Sequence, residues 1–483
     1  MIKKLKIQNF RSIRDLEVEL DKINAFIGPN NAGKSNIMKA LNLILGEAYP
    51  TVKSFDEKDF HMHNTDNPIV IEVIFDGPLN YDNRVYGFKL EFDGNQFDYV
   101  CINQNGRVLI YDGVRPIKVS KAMKEEVTLM YLSLDRQATQ QIRASQWTLY
   151  GKLLKYINSQ IDQNKKEALK NQVKEILEKS IYSDIKILEN ALNQHIQEQT
   201  GLSLGIDLSI LDELEITKNL RPYIIEGNFK SDAEDVGAGV QSALSIAIAR
   251  AYAQIVRQPL IIAIEEPELY LHPHGCRHFY KRLKEMADNQ GIQIIYTTHE
   301  RSFVNISEFK SIHLVRKENN KTRIYSGGSL SITKDFDQVK LASKFDEYIN
   351  EVFFAEHVIL VEGFSDKVAC KLALEKLGVD VDLKNISIIE CGSKTAIEPI
   401  ARVLKHFGIK TYVLIDSDAQ LEIDNLQQLL GQENVFVQNP DLEGMLGISE
   451  KLNKEKTLRI LPNYFNTYEI PEVYKNLKQK MGV

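Results

Sequence analysis

The octapeptide Gly28-Pro29-Asn30-Asn31-Ala32-Gly33-Lys34-Ser35 constrains this chain more than any other feature. It follows an apolar run, Ile23 to Ile27, and precedes Ile37, Ala40, Leu41 and Ile44, which are spaced as on one face of a helix. Strand, glycine-rich loop and helix form the context in which such a segment cradles nucleotide phosphates. Gly28 and Gly33 let the backbone amides, with those of Asn30 and Asn31, curve around the β-phosphate. A helix starting near Lys34 turns its free N–H groups on the anion, and Lys34 reaches the β- and γ-phosphates. The Ser35 hydroxyl is placed to ligate Mg²⁺. Alternating strands at Ile2 to Gln8 and Leu16 to Leu20 precede this element.

A second nucleotide element lies far downstream. Leu260 to Ile264 reads as a buried parallel strand with Glu265-Glu266-Pro267-Glu268 at its carboxyl end, where ligands collect in open α/β sheets. Glu265 is placed to act on Mg²⁺ or its water, and Glu266 to polarise an attacking water. The next strand, Gln293 to Tyr296, ends in Thr297-Thr298-His299, and His299 is placed to sense a γ-phosphate. Between these elements, Gly237 and Gly239 precede an apolar helix expected from Ala243 to Ala253, which would make another cluster of anion-binding amides.

Several alternating runs, Ile69 to Phe75, Tyr86 to Phe92 and Arg107 to Tyr111, predict an antiparallel subdomain beside the nucleotide. Arg136 either contacts phosphate or pairs with a carboxylate. From Tyr150 to Glu198, apolar residues including Leu153, Leu154, Ile157, Ile161, Ile176 and Ile185 recur at helical spacing, which predicts one or two amphipathic helices. Their apolar stripe packs either on the parent domain or on another subunit. Lys165, Lys166 and Lys170 are expected to face solvent.

Beyond a helical linker expected from Phe336 to Phe353, the pattern changes to repeated βα units. Val358 to Val361 leads into Glu362-Gly363-Phe364-Ser365-Asp366 and a helix, Ile386 to Ile389 leads into a helix from Thr395, and Tyr412 to Ile415 ends at Asp416-Ser417-Asp418. This alternation predicts a compact, mostly parallel sheet with its loops gathered at one edge. Glu362 and the pair Asp416 and Asp418 would then meet if their strands are neighbours, around divalent ions that prefer hard oxygen ligands.

Composition narrows the classes further. A net charge of -6 argues against a protein that coats nucleic acid by bulk electrostatics, but not against a nuclease whose bound ions change the local field. Cys101, Cys276, Cys370 and Cys391 form no CxxC pair, which disfavours a zinc site or disulfide framework. Met1 to Lys4 leads straight into a strand, with no apolar run long enough for a signal peptide or membrane span, so a cytoplasmic location is expected.

These motifs, in this order, resemble the OLD (overcoming lysogenization defect) family of nucleases, in which an ABC-type ATPase is fused to a Toprim domain. The ATPase part is similar to the branch that also holds SMC and RecF-like proteins, and Leu271-His272-Pro273 fits the OLD-like pattern. The resemblance implies an α/β fold: an ABC-type P-loop ATPase with a helical insertion, followed by a Toprim α/β domain. Residues 1–149 and 201–340 would form the ATPase, 150–200 the insertion and dimerisation element, 341–356 a linker and 357–483 the nuclease domain.

It further implies roles for individual residues. Gly237, Gly239, Gln241 and Ser242 match the loop that closes over ATP held by another subunit. Glu362 matches a metal ligand or acid/base, Asp416 and Asp418 catalytic metal ligands and Asp366 a further ligand; Glu443 is either a late acidic ligand or an ordinary first-turn glutamate, and Gly392 with Lys394 matches a glycine loop whose lysine stabilises phosphoryl charge.

The implied activity is ATP-regulated cleavage of DNA by two Mg²⁺ or Mn²⁺ ions, in a homodimer or a higher homo-oligomer such as a tetramer. The implied setting is anti-phage defence, beside a helicase-like partner as in Gabija systems or beside a retron reverse transcriptase. Two alternatives stand: an SMC-like DNA-binding or signalling ATPase with a non-catalytic Toprim domain, and a DNA-repair nuclease. A primase is disfavoured by the lack of a zinc cluster, and a type II topoisomerase by the lack of a cleavage-tyrosine module.

Overall fold

The computed structural model describes residues 1–133, 148–169, 171–172, 175–176, 180, 186–187, 189–192, 220–256, 259–269, 271–304, 306–329 and 348–483. The chain forms two compact units, Met1–Leu134 with Pro259–Val483, and Asp135–Gln258.

The first unit begins β1 (Ile2–Phe10), β2 (Ile13–Glu19), β3 (Ile23–Ile27), α1 (Lys34–Leu45), β4 (Ile69–Phe75), β5 (Gly87–Phe92), β6 (Phe97–Ile102) and β7 (Thr128–Leu132). Five of these strands make an antiparallel sheet in the order β2-β1-β4-β5-β6. Alternation buries Leu5, Ile7, Leu16, Val18, Ile71 and Val73. The strand expected at Arg107 to Tyr111 is reduced to isolated bridges at Val108 and Ile110, and β6 makes the pairing with β5 instead.

The second unit contains α2 (Leu149–Gln160), the hairpin of β8 (Tyr223–Glu226) with β9 (Phe229–Asp232), and α3 (Ala238–Val256). Thr148 caps α2 by accepting from the Gly151 N–H at 3.0 Å. Leu153 and Leu154 are buried, whereas Ile157, Ile161 and Ile176 are exposed. Arg136, Lys170, Ile185 and most of the expected linker lie outside the described residues. The part of that linker that is described, Ile349–Phe354, is a 3-10 helix.

The second sheet of the first unit adds β10 (Leu260–Glu265), β11 (Ile292–Thr298), β12 (Ile312–Glu318) and β13 (Lys321–Ser326), with α4 (Pro273–Gln290) joining β10 to β11. Its order is β13-β12-β3-β11-β10-β7, parallel except for β13. Every residue of β10 and β11 is buried, which is why these strands read as continuous apolar runs. Helix α1 packs against strands of both sheets and buries Ile37, Met38, Leu41 and Ile44.

The carboxyl-terminal region runs β14 (His357–Val361), α5 (Phe364–Lys376), β15 (Ile386–Glu390), α6 (Lys394–His406), β16 (Lys410–Asp416), α7 (Gln420–Leu430), β17 (Val435–Gln438), α8 (Leu442–Leu446), α9 (Lys454–Thr467) and α10 (Glu472–Met481). The sheet is wholly parallel, in the order β15-β14-β16-β17. From β14 the chain crosses to β15 on one side and then to β16 on the other. The crevice where ligands bind in such sheets therefore opens at the carboxyl ends of β14 and β16. Among the described residues no helix is long and apolar enough to cross a membrane, and the four cysteines are buried and not joined in disulfides.

Candidate functional site

The nucleotide motifs converge because their strands are neighbours in register. Ile27 pairs with Thr298, and Thr297 pairs with Glu265, so β3, β11 and β10 deliver the glycine-rich loop, His299 and Glu265 to one edge. Two positions in the loop demand glycine. Gly28 has φ +133°, and a Cβ there would lie 2.1 Å from the Val315 carbonyl oxygen. Gly33 has φ +110°, and its Cβ would lie 2.2 Å from Thr322 Oγ1. Asn31, also in the loop, is left-handed at φ 61°.

Lys34 is buried, and its ammonium donates to the carbonyls of Gly28 (2.8 Å) and Pro29 (2.9 Å). Burial lowers its pKa to about 8, against the opposing pull of Glu266 and Glu268. Ser35 Oγ donates to Glu265 Oε2 at 2.7 Å, so the two residues expected at the nucleotide's Mg²⁺ touch. The other oxygen of Glu265 accepts from the Tyr131 hydroxyl. Glu266 holds a left-handed backbone, φ 45°, a conformation costing a non-glycine residue on the order of 1 kcal/mol. His299 Nε2 lies 3.6 Å from Glu266 Oε1. Burial, helped by Lys34, lowers the His299 pKa to about 4, which leaves a neutral imidazole at neutral pH.

Two residues here had no role in the sequence reading. Tyr131 gave no signal beyond ending a short strand. Glu268 accepts from the His299 backbone N–H at 2.8 Å, and burial raises its pKa.

The expected glycine loop at 237–242 differs in form. Helix α3 begins at Ala238, so Gly239, Gln241 and Ser242 lie within the helix rather than in a loop before it. Gln241 Nε2 folds back onto the carbonyls of Glu234 and Val236, both at 2.9 Å.

In the carboxyl-terminal sheet, Glu362 directly follows β14 and Asp416 ends the adjacent β16, with Val361 opposite Leu414. Asp366, in the first turn of α5, is buried and accepts from the Gly363 N–H at 3.1 Å. Burial raises its pKa to about 6, and Glu362 and Glu443 push the same way. Burial also raises Asp416, to about 7, together with repulsion from Asp366, Glu362, Asp441 and Asp418. These carboxylates therefore form one electrostatic cluster. Asp418 is exposed and pairs with Lys394 Nζ at 2.8 Å, the first residue of α6. Glu443 Oε1 accepts from the Leu452 N–H at 2.9 Å.

Among the described residues no three His, Cys, Asp or Glu side chains converge into a ready metal shell. The donor set still suits a hard divalent cation: it is all carboxylate oxygen, and its mutual repulsion is what a cation would relieve. One neutral residue sits inside the cluster. Gln438, the last residue of β17, stands opposite Asp416 in register and is fully buried. Its amide satisfies its neighbours when Nε2 donates to Asp366 Oδ1 (3.0 Å) and Asp416 Oδ1 (2.9 Å).

The two sites are joined by packed structure. His299 lies 6.3 Å, ring to ring, from Phe354. Asn350 donates to the carbonyls of Val304 (2.8 Å) and Arg301 (3.3 Å). Arg301 pairs with Glu351 at 3.0 Å, and Glu351 accepts from Ser387, on β15, at 2.8 Å. Arg316 of β12 donates to the Ala355 carbonyl at 2.7 Å, and Phe353 packs edge-on against Phe407 at 5.3 Å.

Comparison with known proteins finds two family matches along the chain. Residues 1–115 and 110–304 match the AAA ATPase domain family, and residues 353–418 match the Overcoming lysogenization defect protein-like TOPRIM domain. The chain is 30% identical to the OLD nuclease of Thermus scotoductus over 95% of its own length and 94% of that protein's. It is 23% identical to the Old nuclease of Escherichia phage P2, covering 86% of this chain and 76% of the relative. It is likewise 23% identical to the endonuclease GajA of Bacillus cereus, covering 99% and 85%. With an AAA-type ATPase domain fused to an OLD-like Toprim domain along nearly its whole length, the chain belongs to the OLD nuclease family.

Proposed function

We propose that this protein is an ATP-binding, divalent-metal-dependent DNA endonuclease in which nucleotide occupancy controls phosphodiester hydrolysis in the Toprim domain. The observation that carries the reading is the meeting of Glu362 and Asp416 at the ends of adjacent parallel strands, with Asp366 in the same electrostatic cluster. Glu362, Asp416 and Asp418 would hold one divalent ion, and Asp366 and Glu443 a second. Such ions activate the attacking water and neutralise the leaving oxygen. Lys394, now paired with Asp418, would turn to the developing phosphoryl charge.

In the ATPase site Lys34 and the loop amides hold the phosphates, Ser35 and Glu265 hold Mg²⁺, and Glu266 orients water while His299 reads the γ-phosphate. The neutral His299 imidazole suits a hydrogen-bonding sensor better than a fixed cation. The contacts through Asn350, Arg301 and Glu351 give that segment a solid connection to β15, whose carboxyl end leads to Gly392 and Lys394. The family relationship supports DNA as substrate and a homo-oligomer as the working form, with Gly237, Gly239, Gln241 and Ser242 serving a neighbouring subunit's nucleotide. The place in anti-phage defence rests on the resemblance of the ordered motifs to the OLD family alone.

The test is incubation of the purified chain with supercoiled DNA and Mg²⁺ or Mn²⁺. Wild-type protein is expected to nick or cut, and Glu362→Ala or Asp416→Ala to abolish cutting without loss of folding. Wild-type protein that binds ATP and DNA but never cuts would instead mark a non-catalytic Toprim domain.

A further inference from the structure

The chemistry assigned to the carboxylates leaves Gln438 and Tyr474 unexplained. Tyr474 lies on α10 and is wholly buried against Phe465, at 6.1 Å ring to ring. Its hydroxyl donates to Gln438 Oε1 at 3.2 Å in the amide orientation that also turns both Nε2 hydrogens onto Asp366 and Asp416. A carbonyl oxygen turned to the carboxylates instead would face only acceptors, so the two acids fix the amide's sense, and the Tyr474 hydroxyl then holds its oxygen.

The consequence is a set spacing. One NH₂ group serving two acceptors at 3.0 and 2.9 Å holds those oxygens about 5 Å apart. That distance suits carboxylates that each reach one ion of a pair about 3.5–4 Å apart. A lysine at the same place would satisfy both acids but would bring a charge that competes with a cation. A leucine would leave the buried Asp366 and the half-buried Asp416 facing each other without the donor between them that offsets their repulsion. The neutral amide supplies two donors and no net charge.

We propose that Gln438, held at its amide oxygen by Tyr474, is a positioning residue that sets the spacing and direction of Asp366 and Asp416 for divalent-ion binding. The proposal rests on the reading of the Toprim domain as a metal site.

The test uses the full chain and Mn²⁺ alone as probe, without DNA or nucleotide. Bound Mn²⁺ is followed by electron paramagnetic resonance, and Asp416→Ala defines the signal that belongs to the Toprim site. Gln438→Leu is expected to weaken that binding about tenfold, and to raise the metal concentration for half-maximal plasmid cleavage by a similar factor. The cleavage rate at saturating metal and the ATP affinity should change far less. Tyr474→Phe keeps the packing and only frees the amide, so it should give a smaller shift in the same direction, and it decides the matter if Gln438→Leu fails to fold.

Mn²⁺ affinity that is unchanged or tighter in folded variants overturns the proposal, as does a wild-type chain with no Asp416-dependent signal. A wild-type chain that binds Mn²⁺ through Asp416 yet cuts no DNA sinks the nuclease reading alone, because the titration still decides the role of Gln438.

Discussion

Arg301, just beyond His299, pairs with Glu351 at 3.0 Å, and the same carboxylate accepts the Ser387 hydroxyl of β15. The end of the nucleotide-facing strand is thereby tied to the sheet that presents Glu362 and Asp416. Both members of the ion pair are partly exposed, so its contribution to stability is below about 1 kcal/mol after screening. Under the proposed nucleotide control it would act as a link between the sites rather than as a source of stability.

Arg301→Ala or Glu351→Gln is therefore expected to bring the ratio of cleavage rates with and without ATP about fivefold closer to one, within the range of typical coupling energies. The melting temperature should barely move. An ATP effect of wild-type size in both variants would show that the signal travels by another route.

Lys34→Ala removes the charge that the proposed nucleotide site assigns to the phosphates. Loss of charge-assisted bonds of this kind costs about 2–3 kcal/mol, so ATP affinity should fall about 30-fold or more by calorimetry. Unchanged affinity would contradict the loop assignment. Glu266→Gln should retain ATP and lower hydrolysis by about 100-fold, the loss typical of a removed general base.

His313 supplies a pH dependence of stability. It is buried between Ser326 (2.9 Å) and Asn24 (3.2 Å), and burial lowers its pKa from 6.5 to about 4. Between those values the unfolded chain binds a proton that the folded chain does not, so stability falls as pH drops from 6.5 toward 4. The full effect is about 3 kcal/mol. His299 and His357 shift in the same direction, so the measurement is the difference between wild type and His313→Gln. The variant should show a shallower loss of urea midpoint over that range. Parallel curves would refute the assignment.

What the sequence made legible follows from how local each signal is. The phosphate loop carries its geometry in its own residues, since Gly28 and Gly33 occupy backbone conformations and clearances that exclude a Cβ. The βα repeats after His357 place Glu362 and Asp416 at strand ends, and the parallel sheet order then makes those ends neighbours. Gln438 was illegible for the opposite reason. Its strand has only the four residues Val435–Gln438, too short for a periodic pattern, and a neutral amide stands out in no charge count. Only the pairing of Asp416 with Gln438 shows where that side chain belongs. The first turn of α3 was misplaced because glycine near a helix start reads as loop, whereas Gly239 is already helical.

The central claim is that acidic groups from β14 and β16 share a divalent ion. Anomalous diffraction from crystals of the full chain soaked in Mn²⁺ tests it most directly. The account predicts a manganese peak about 2.1 Å from carboxylate oxygens of both Glu362 and Asp416. Manganese found beside Ser35 and Glu265 but absent between Glu362 and Asp416 would contradict it.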